Sequence, residues 1–398
     1  MRLTAIDGFR GIFLVFMMII HANDILNTTL GKLNHHYFGW VEDAQGFVFM
    51  SGMVVGLVYG GRFIKYGFDT MRRDIWTRIK TIYSHHFFLI FLFTLITFTL
   101  SFGAASVPAV LHSYAAEPIL FPVLSAFMVT GSAHMGILPM YIIFMVATPY
   151  ALRLLNARRY ITYGVIIAIC WAFAQTRLPD AFVGGSEAFF EDAGYALNLG
   201  IFFNVLGWQA LFFAGLFIGF LMASKRLDTS FIRTPEMRQV FLICVVLFFF
   251  FGVYDRIVFD NWISDEFSNA IKAEVDRGNL STIYVITFAI DLLIVVWMLG
   301  PGVMDGNKII SIASRILTSV VTWRPFVFLG QHSLHVFSSH IIIVYIIFSF
   351  FDGARVSEPI GAVIIVLSLA ILYMTAFLHV RFGSRRKNVS ATKAAQNK

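Results

Sequence analysis

His21 lies inside the first long apolar segment of the chain, and Arg10 precedes it by eleven positions. A helix would place the two side chains roughly 16 Å apart along its axis, about half the thickness of the hydrocarbon core of a bilayer. An imidazole at that depth can take a proton from a hydroxyl group and return it, which is general base chemistry. The alternative is a hydrogen-bonded histidine in a protein core.

Asp24 follows His21 by three residues, so the two side chains would share one face of a helix. A carboxylate in that position orients an imidazole and raises its basicity. The spacing therefore predicts Asp24 as the partner of a catalytic His21. Alternatively, Asp24 is simply the first residue of an outer loop.

A late apolar segment opens with several polar residues. Gln331, Ser333 and His340 give it a polar side that could donate hydrogen bonds to a reacting oxygen or to an acceptor. His332, His335 and His340 do not fall on one face of a helix, and no cysteine or carboxylate joins them. The sequence therefore predicts no metal site here.

Two charged features remain. Cations that include Arg73, Arg78 and Lys80 precede the third apolar segment. Beside a helix N-terminus they suit a polyanion such as a nucleotide phosphate, or they are the ordinary positive charge of an inner loop. Asp291 lies near the centre of a later apolar segment, where it must pair with an arginine or line a cavity.

These residues are set in an unusually apolar chain. Hydrophobic residues make up 58% of the 398 residues and charged residues only 13%, about half the charged fraction of a soluble domain. Mean hydropathy is +0.76. Composition therefore predicts an all-α polytopic membrane protein with lipid as its main solvent. Cys170 and Cys244 show no pairing logic.

Hydropathy predicts about ten transmembrane helices. Their approximate bounds are 9–26, 44–64, 82–104, 134–155, 160–176, 201–223, 239–257, 282–300, 327–350 and 359–381. The stretch 119–133 is apolar but short and contains Pro122, which predicts a re-entrant or interfacial segment. Gly52, Gly56 and Gly60 recur every four residues and predict close helix packing.

The distribution of charge predicts the orientation. With the N-terminus in the cytoplasm, 24 of the 30 Lys and Arg residues lie in inner segments and 6 in outer loops. Ten spans then place both termini in the cytoplasm. This distribution accounts for the net charge of +7, so nucleic acid is not predicted as a partner. Residues 1–382 are predicted to form a single membrane domain, and 383–398 a basic, disordered tail.

Three motifs resemble the acyltransferase family 3 membrane proteins. They are Asp7-Gly8-Phe9-Arg10-Gly11 followed by His21, then Phe47 to Gly52, then Phe328-Leu329-Gly330 with Ser333 and His340. The stretches 78–86, 134–141 and 203–212 further resemble the OpgC branch, the succinyltransferases of osmoregulated periplasmic glucans. The match runs in order from about residue 3 to 345 and covers most of the chain.

This resemblance implies an integral membrane O-acyltransferase in the inner membrane of a bacterium, surrounded by membrane lipid. Cytoplasmic acyl-CoA, in this branch succinyl-CoA, would be the co-substrate, and a hydroxyl group of a periplasmic glucan would be the acceptor. No permanently bound cofactor is implied, and a homo-oligomer is compatible with the family. His21 would act as the general base.

The resemblance also implies roles for the other candidates. Arg10, Arg73, Arg78 and Lys80 would bind the CoA phosphates, although Arg10 could instead brace the first helix. The family often has Arg-x-x-Arg in the third helix, whereas this chain has Arg78-Ile79-Lys80-Thr81, so the phosphate contacts must be shared differently. Trp208 and Gln209 would contact the sugar, because aromatic faces pack against sugar rings, or they would pack in the core.

Two other classes of protein stay open. A secondary transporter of an acidic metabolite or glycan could use His21 and Asp291 as a proton relay, although no repeat relates the two halves of the chain. A structural scaffold would explain the spans but not the polar residues inside them. The sequence contains no nucleotide-binding glycine loop and no nucleophile elbow, so no serine nucleophile is predicted.

Overall fold

The computed structural model describes residues 2–32, 40–103, 107–176, 178–259 and 262–396. Apart from one isolated bridge between Thr130 and Gly200, the regular elements in these ranges are helices. The α-helices are α1 (Arg2–Leu26), α2 (Asp43–Tyr66), α3 (Phe68–Phe102), α4 (His112–Ala116), α5 (Leu120–Ala126), α6 (Ile137–Asn156), α7 (Tyr160–Ala174), α8 (Leu178–Asp192), α9 (Val205–Ala223), α10 (Pro235–Phe259), α11 (Asp265–Glu274), α12 (Thr282–Leu299), α13 (Lys308–Val321), α14 (Arg324–Gln331), α15 (Ser333–Phe351) and α16 (Glu358–Gln396).

Nine helices of the described chain are long and apolar enough to cross a membrane by length and composition: α1, α2, α3, α6, α9, α10, α12, α15 and α16. They correspond to nine of the ten predicted spans, so the all-α, multi-pass class is confirmed. The predicted span 160–176 is too short to qualify alone. It qualifies only when α7 and α8 are taken together, with a bend of 52° between them.

The prediction of one continuous span over 327–350 is wrong. α14 ends at Gln331 and α15 begins at Ser333, with His332 at φ −109° and ψ 23° between them. α13 and α14 form a second bent pair that qualifies as a span, with a bend of 48°, and hydropathy did not predict it. Lys308 and Arg315 interrupt the apolar pattern of α13, so its composition is that of a charged inner loop.

Three other boundaries bear on the candidate residues. α3 begins at Phe68, so the cations expected before the third span lie on a helix. α5 has only 7 residues and is too short to span, within the stretch 119–133. α16 continues to Gln396, into the segment 383–398, because Ala, Lys and Arg are good helix formers. The disorder of that tail stays a prediction.

The helices group into two compact units, and the first contains Met1–Asn34 and Ser319–Lys398. In this unit, glycines bring α14 into backbone contact with α1. A Cβ atom at Gly11 would lie 1.9 Å from the backbone oxygen of Phe326, and one at Gly330 would lie 1.8 Å from that of Asp7. These distances leave no room for a side chain, so the contact requires glycine.

α15 runs parallel to α1 in the first unit. Arg10 contacts Ser333, and His21 contacts His340, so residue numbers increase together along the two helices. Eleven residues are close to three helical turns and seven are close to two, so each helix presents both of its residues on one face. α16 packs beside α15, where the hydroxyl groups of Ser339 and Thr375 lie 3.0 Å apart.

The second unit contains His35–Thr318, and its tightest contact joins α2 and α9. A Cβ atom at Gly52 would lie 2.0 Å from the backbone oxygen of Phe212, and one at Gly219 would lie 2.0 Å from that of Met53. Small residues on both helices allow this approach. The glycine stripe predicted for α2 is confirmed.

Candidate active site

His21 and His340 form a hydrogen-bonded pair inside the first unit. His21 Nδ1 lies 3.0 Å from His340 Nε2, and the ring centroids are 5.1 Å apart with an interplanar angle of 28°. His340 is fully buried, whereas His21 is partly exposed. His21 is therefore the imidazole of the pair that a substrate can reach.

A hydrogen bond between two neutral imidazoles links their tautomers. For His21 to act as a base, its Nε2 must hold a lone pair, so its Nδ1 carries the proton and donates to His340 Nε2. His340 then holds its own proton on Nδ1. In the opposite arrangement His21 Nε2 is protonated and cannot accept a proton. The site is therefore a base only in the first tautomer.

A second polar contact joins the same helices nearer the start of α1. Arg10 donates a hydrogen bond to the Ser333 hydroxyl, and its guanidinium lies 3.8 Å from the carboxylate of Asp7. Because the Arg10 side chain is only 12% exposed, these contacts are those of a brace between α1 and the start of α15.

The other histidines of the late segment contact a residue that the sequence did not single out. His332 and His335 meet His379 of α16, with ring centroids 5.3 and 3.6 Å apart. The position of His379 within the last predicted span is the only signal in the sequence that could have found it. Within the described chain, no group of three His, Cys, Asp or Glu residues could hold a metal ion.

Asp24 has an exposed side chain near the end of α1. The side chain hydrogen-bonded to Nδ1 of His21 is that of His340. The sequence predicted His340 instead as a residue that binds the oxyanion or the acceptor. Sequence reasoning could identify both histidines as polar residues in apolar segments, but their pairing depends on the packing of α1 against α15. The orienting role of Asp24 stays a prediction.

The cations predicted to bind the donor lie on α3 in the second unit. Arg73 and Lys80 are exposed and, at seven residues apart, share one face of the helix. Arg78 is half-buried on another face, where its charge acts on Tyr59 of α2. Arg73 and Lys80 can therefore contact one anion together, whereas Arg78 lies to the side of them.

Trp208 and Gln209 lie on α9, also in the second unit, and their polar atoms contact backbone carbonyls. The Trp208 indole is fully buried and donates to the carbonyl oxygens of Arg277 and Gly278 at 3.1 and 3.0 Å. Gln209 donates to the carbonyl oxygen of Ile167 at 2.9 Å. These contacts are typical of packing residues, which was the alternative role predicted for Trp208 and Gln209. Their contact with a sugar stays a prediction.

Asp291 lies half-buried on α12 in the second unit. It shares a helix face with Phe288, whose ring packs on Phe49 of α2 with centroids 5.3 Å apart. Within the described chain no arginine pairs with Asp291. The sequence predicted either an arginine partner or a cavity for this carboxyl group. The described residues do not provide the arginine partner.

Comparison with known proteins returns one family. A family model described as OpgC protein matches residues 2–384, which is nearly the whole chain. No curated protein and no solved structure matches.

Proposed function

This chain belongs to the OpgC family, which implies a glucan-modifying acyltransferase, and on that premise we propose that it moves a succinyl group from cytoplasmic succinyl-CoA to a hydroxyl group of a periplasmic glucan. His21 is the general base in this proposal. The observation that carries it is the 3.0 Å contact between His21 Nδ1 and the buried His340. That contact fixes the orientation of a partly exposed imidazole within an apolar helix pair.

The proposed reaction needs one base and no acyl-enzyme intermediate. His21 Nε2 takes the proton of the acceptor hydroxyl while its oxygen attacks the carbonyl carbon of the thioester. The carbon–sulfur bond of the resulting tetrahedral intermediate then breaks, and the CoA thiolate leaves. His21 returns its proton to that sulfur, so the ester and free CoA are formed and the imidazole is neutral again.

His340 acts as a positioning residue in this scheme. Its Nε2 accepts the proton of His21 Nδ1–H and so selects the tautomer that leaves His21 Nε2 free. When His21 becomes an imidazolium, the same hydrogen bond is charge-assisted and therefore stronger. A neutral acceptor inside the bundle provides this without the cost of burying a carboxylate.

Arg10 supports the same helix pair from its other end. The hydrogen bond from Arg10 to Ser333 holds α15 in register with α1, and Asp7 of α1 pairs with the charge of Arg10. For the donor we propose Arg73 and Lys80 as the exposed cations that contact CoA phosphates, with Arg78 nearby, because the first two share one accessible face.

Single-turnover transfer from labelled succinyl-CoA tests this assignment. His21→Ala should keep donor binding and lower the rate by about two to four orders of magnitude. His340→Leu removes only the acceptor on His21 Nδ1 and should cost about 10- to 100-fold. His340→Gln should restore much of that rate, because the amide oxygen can take the place of Nε2.

His335→Ala is the matched control, since it removes another histidine of α15 that lies outside the pair. It should transfer at close to the parent rate. A His21→Ala protein that binds CoA and transfers as fast as the parent would contradict the proposal. Glycan movement without consumption of the thioester would instead favour the transporter alternative.

A further inference from the structure

We infer that a cleft in the second unit binds a neutral saccharide chain, which under the proposed function is the glucan acceptor. The cleft has a volume of about 1110 Å³ and is bordered by α8, α10, α11 and the start of α12. Sites for small ligands usually enclose about 300–1,000 Å³. The cleft is therefore large enough for several linked sugar rings.

The charge of the lining selects the class of ligand. Among the described residues that border the cleft, Asp180, Glu274 and Asp276 are carboxylates and none is Lys or Arg. An acidic lining repels phosphates and carboxylates and so disfavours the nucleotide end of CoA and free succinate. Carboxylate oxygens accept hydrogen bonds from hydroxyl groups, so a neutral polyhydroxylated chain fits.

The remaining lining combines an aromatic ring with side-chain amides. Tyr254 is half-buried and is held edge-on to Trp40, with ring centroids 5.2 Å apart. Its ring can pack against the apolar face of a sugar. Gln175 and Asn279 border the same cleft, and their amides are hydrogen-bonded within its wall: Gln175 Nε2 donates to the carbonyl oxygen of Asn279, and Asn279 Nδ2 donates to Asp276.

Two buried side-chain polar atoms of the lining residues have no hydrogen-bond partner in the described part of the chain. They are Nε1 of Trp40 and the hydroxyl of Ser281. Ser281 stands at the N-terminus of α12, yet its side chain makes no capping hydrogen bond. Buried polar groups normally have partners. Trp40 can only donate and Ser281 can both donate and accept, so a hydroxyl group that reached either atom could bond to it.

The acidic lining also distinguishes the acceptor from its product. A succinyl ester carries a free carboxylate, so each transfer adds one negative charge to the glucan. The carboxylates of the cleft repel that charge, and a modified chain should therefore leave more readily than an unmodified one. This inference rests on the proposed function, whereas binding of the neutral chain does not.

Binding of unsubstituted, end-labelled gluco-oligosaccharides to the full-length protein in detergent tests the cleft. Tyr254→Leu and Glu274→Gln should each weaken this binding by about tenfold and leave the affinity for succinyl-CoA unchanged. The matched controls are Tyr195→Leu and Glu266→Gln, an exposed tyrosine and an exposed carboxylate of α11 that do not border the cleft. Both should bind as the parent does.

The same oligosaccharides carrying succinyl groups provide an electrostatic readout. The parent should bind them more weakly than the neutral chains, and Glu274→Gln should narrow that difference. Unchanged neutral binding in both cleft variants overturns the inference, as does a parent that prefers the succinylated chain or a loss of succinyl-CoA affinity. If the protein binds glucan at the cleft but never transfers succinyl, only the proposed function fails.

Discussion

Replacing Gly11 by alanine should damage both folding and acyl transfer. A Cβ atom there would lie 1.9 Å from the backbone oxygen of Phe326. An ordinary carbon–oxygen contact is about 3.4 Å, so α14 would have to retreat from α1 by about 1.5 Å, given the 1.9 Å spacing. The obstacle is backbone rather than a side chain, so no rotamer change relieves it.

The expected cost follows from two opposing effects. Overpacking typically costs about 1–3 kcal/mol, and the upper end applies to a backbone obstacle. Alanine is the better helix former by about 1 kcal/mol, which offsets part of that cost. The free energy of unfolding should therefore fall by about 2 kcal/mol. Because α15, which carries Ser333 and His340, follows α14 after one residue, the same retreat should displace the histidine pair and slow transfer about 100-fold.

Thermal unfolding in detergent and single-turnover transfer measure the two effects on one preparation. Gly164→Ala is the matched control, because Gly164 lies in α7 with no atom within 4 Å of its added Cβ. That variant should be as stable as the parent or slightly more so, with an unchanged transfer rate. If Gly11→Ala matched Gly164→Ala in both measurements, the glycine contact would not position the site.

Two further predictions concern orientation and donor binding. Reporter tags at residues 390 and 270 should lie on opposite sides of the membrane, with 390 cytoplasmic, because of the 24-to-6 division of Lys and Arg; both tags on one side would reject the predicted topology. Replacing Arg73 and Lys80 together by alanine should weaken CoA binding about tenfold. Replacing Lys308, an exposed cation that serves as the control, should leave CoA binding unchanged. Equal affinity in both variants would move the donor site elsewhere.

Much of the architecture follows from the sequence because lipid restricts the choice of structure. A chain in a bilayer must satisfy its backbone within helices, so long apolar segments report spans directly. Nine of the ten predicted segments qualify as spans for this reason. Hydropathy failed at 308–331, where Lys308 and Arg315 interrupt the apolar pattern. It also failed at His332, where the helix breaks two residues after Gly330 inside an apolar segment.

The sequence by itself determined which residues were candidates. The candidates are polar residues in apolar segments: Arg10, His21, Ser333 and His340. Burying a polar side chain in lipid costs free energy, so the sequence alone identifies them as candidates. Only the tertiary structure decided that His340 lies on Nδ1 of His21, that Arg10 braces Ser333, and that Trp208 is occupied by backbone carbonyls. These partners are more than 60 residues apart in every case. Helical periodicity gives the face on which a residue lies, but the neighbour of that face depends on which helices pack together.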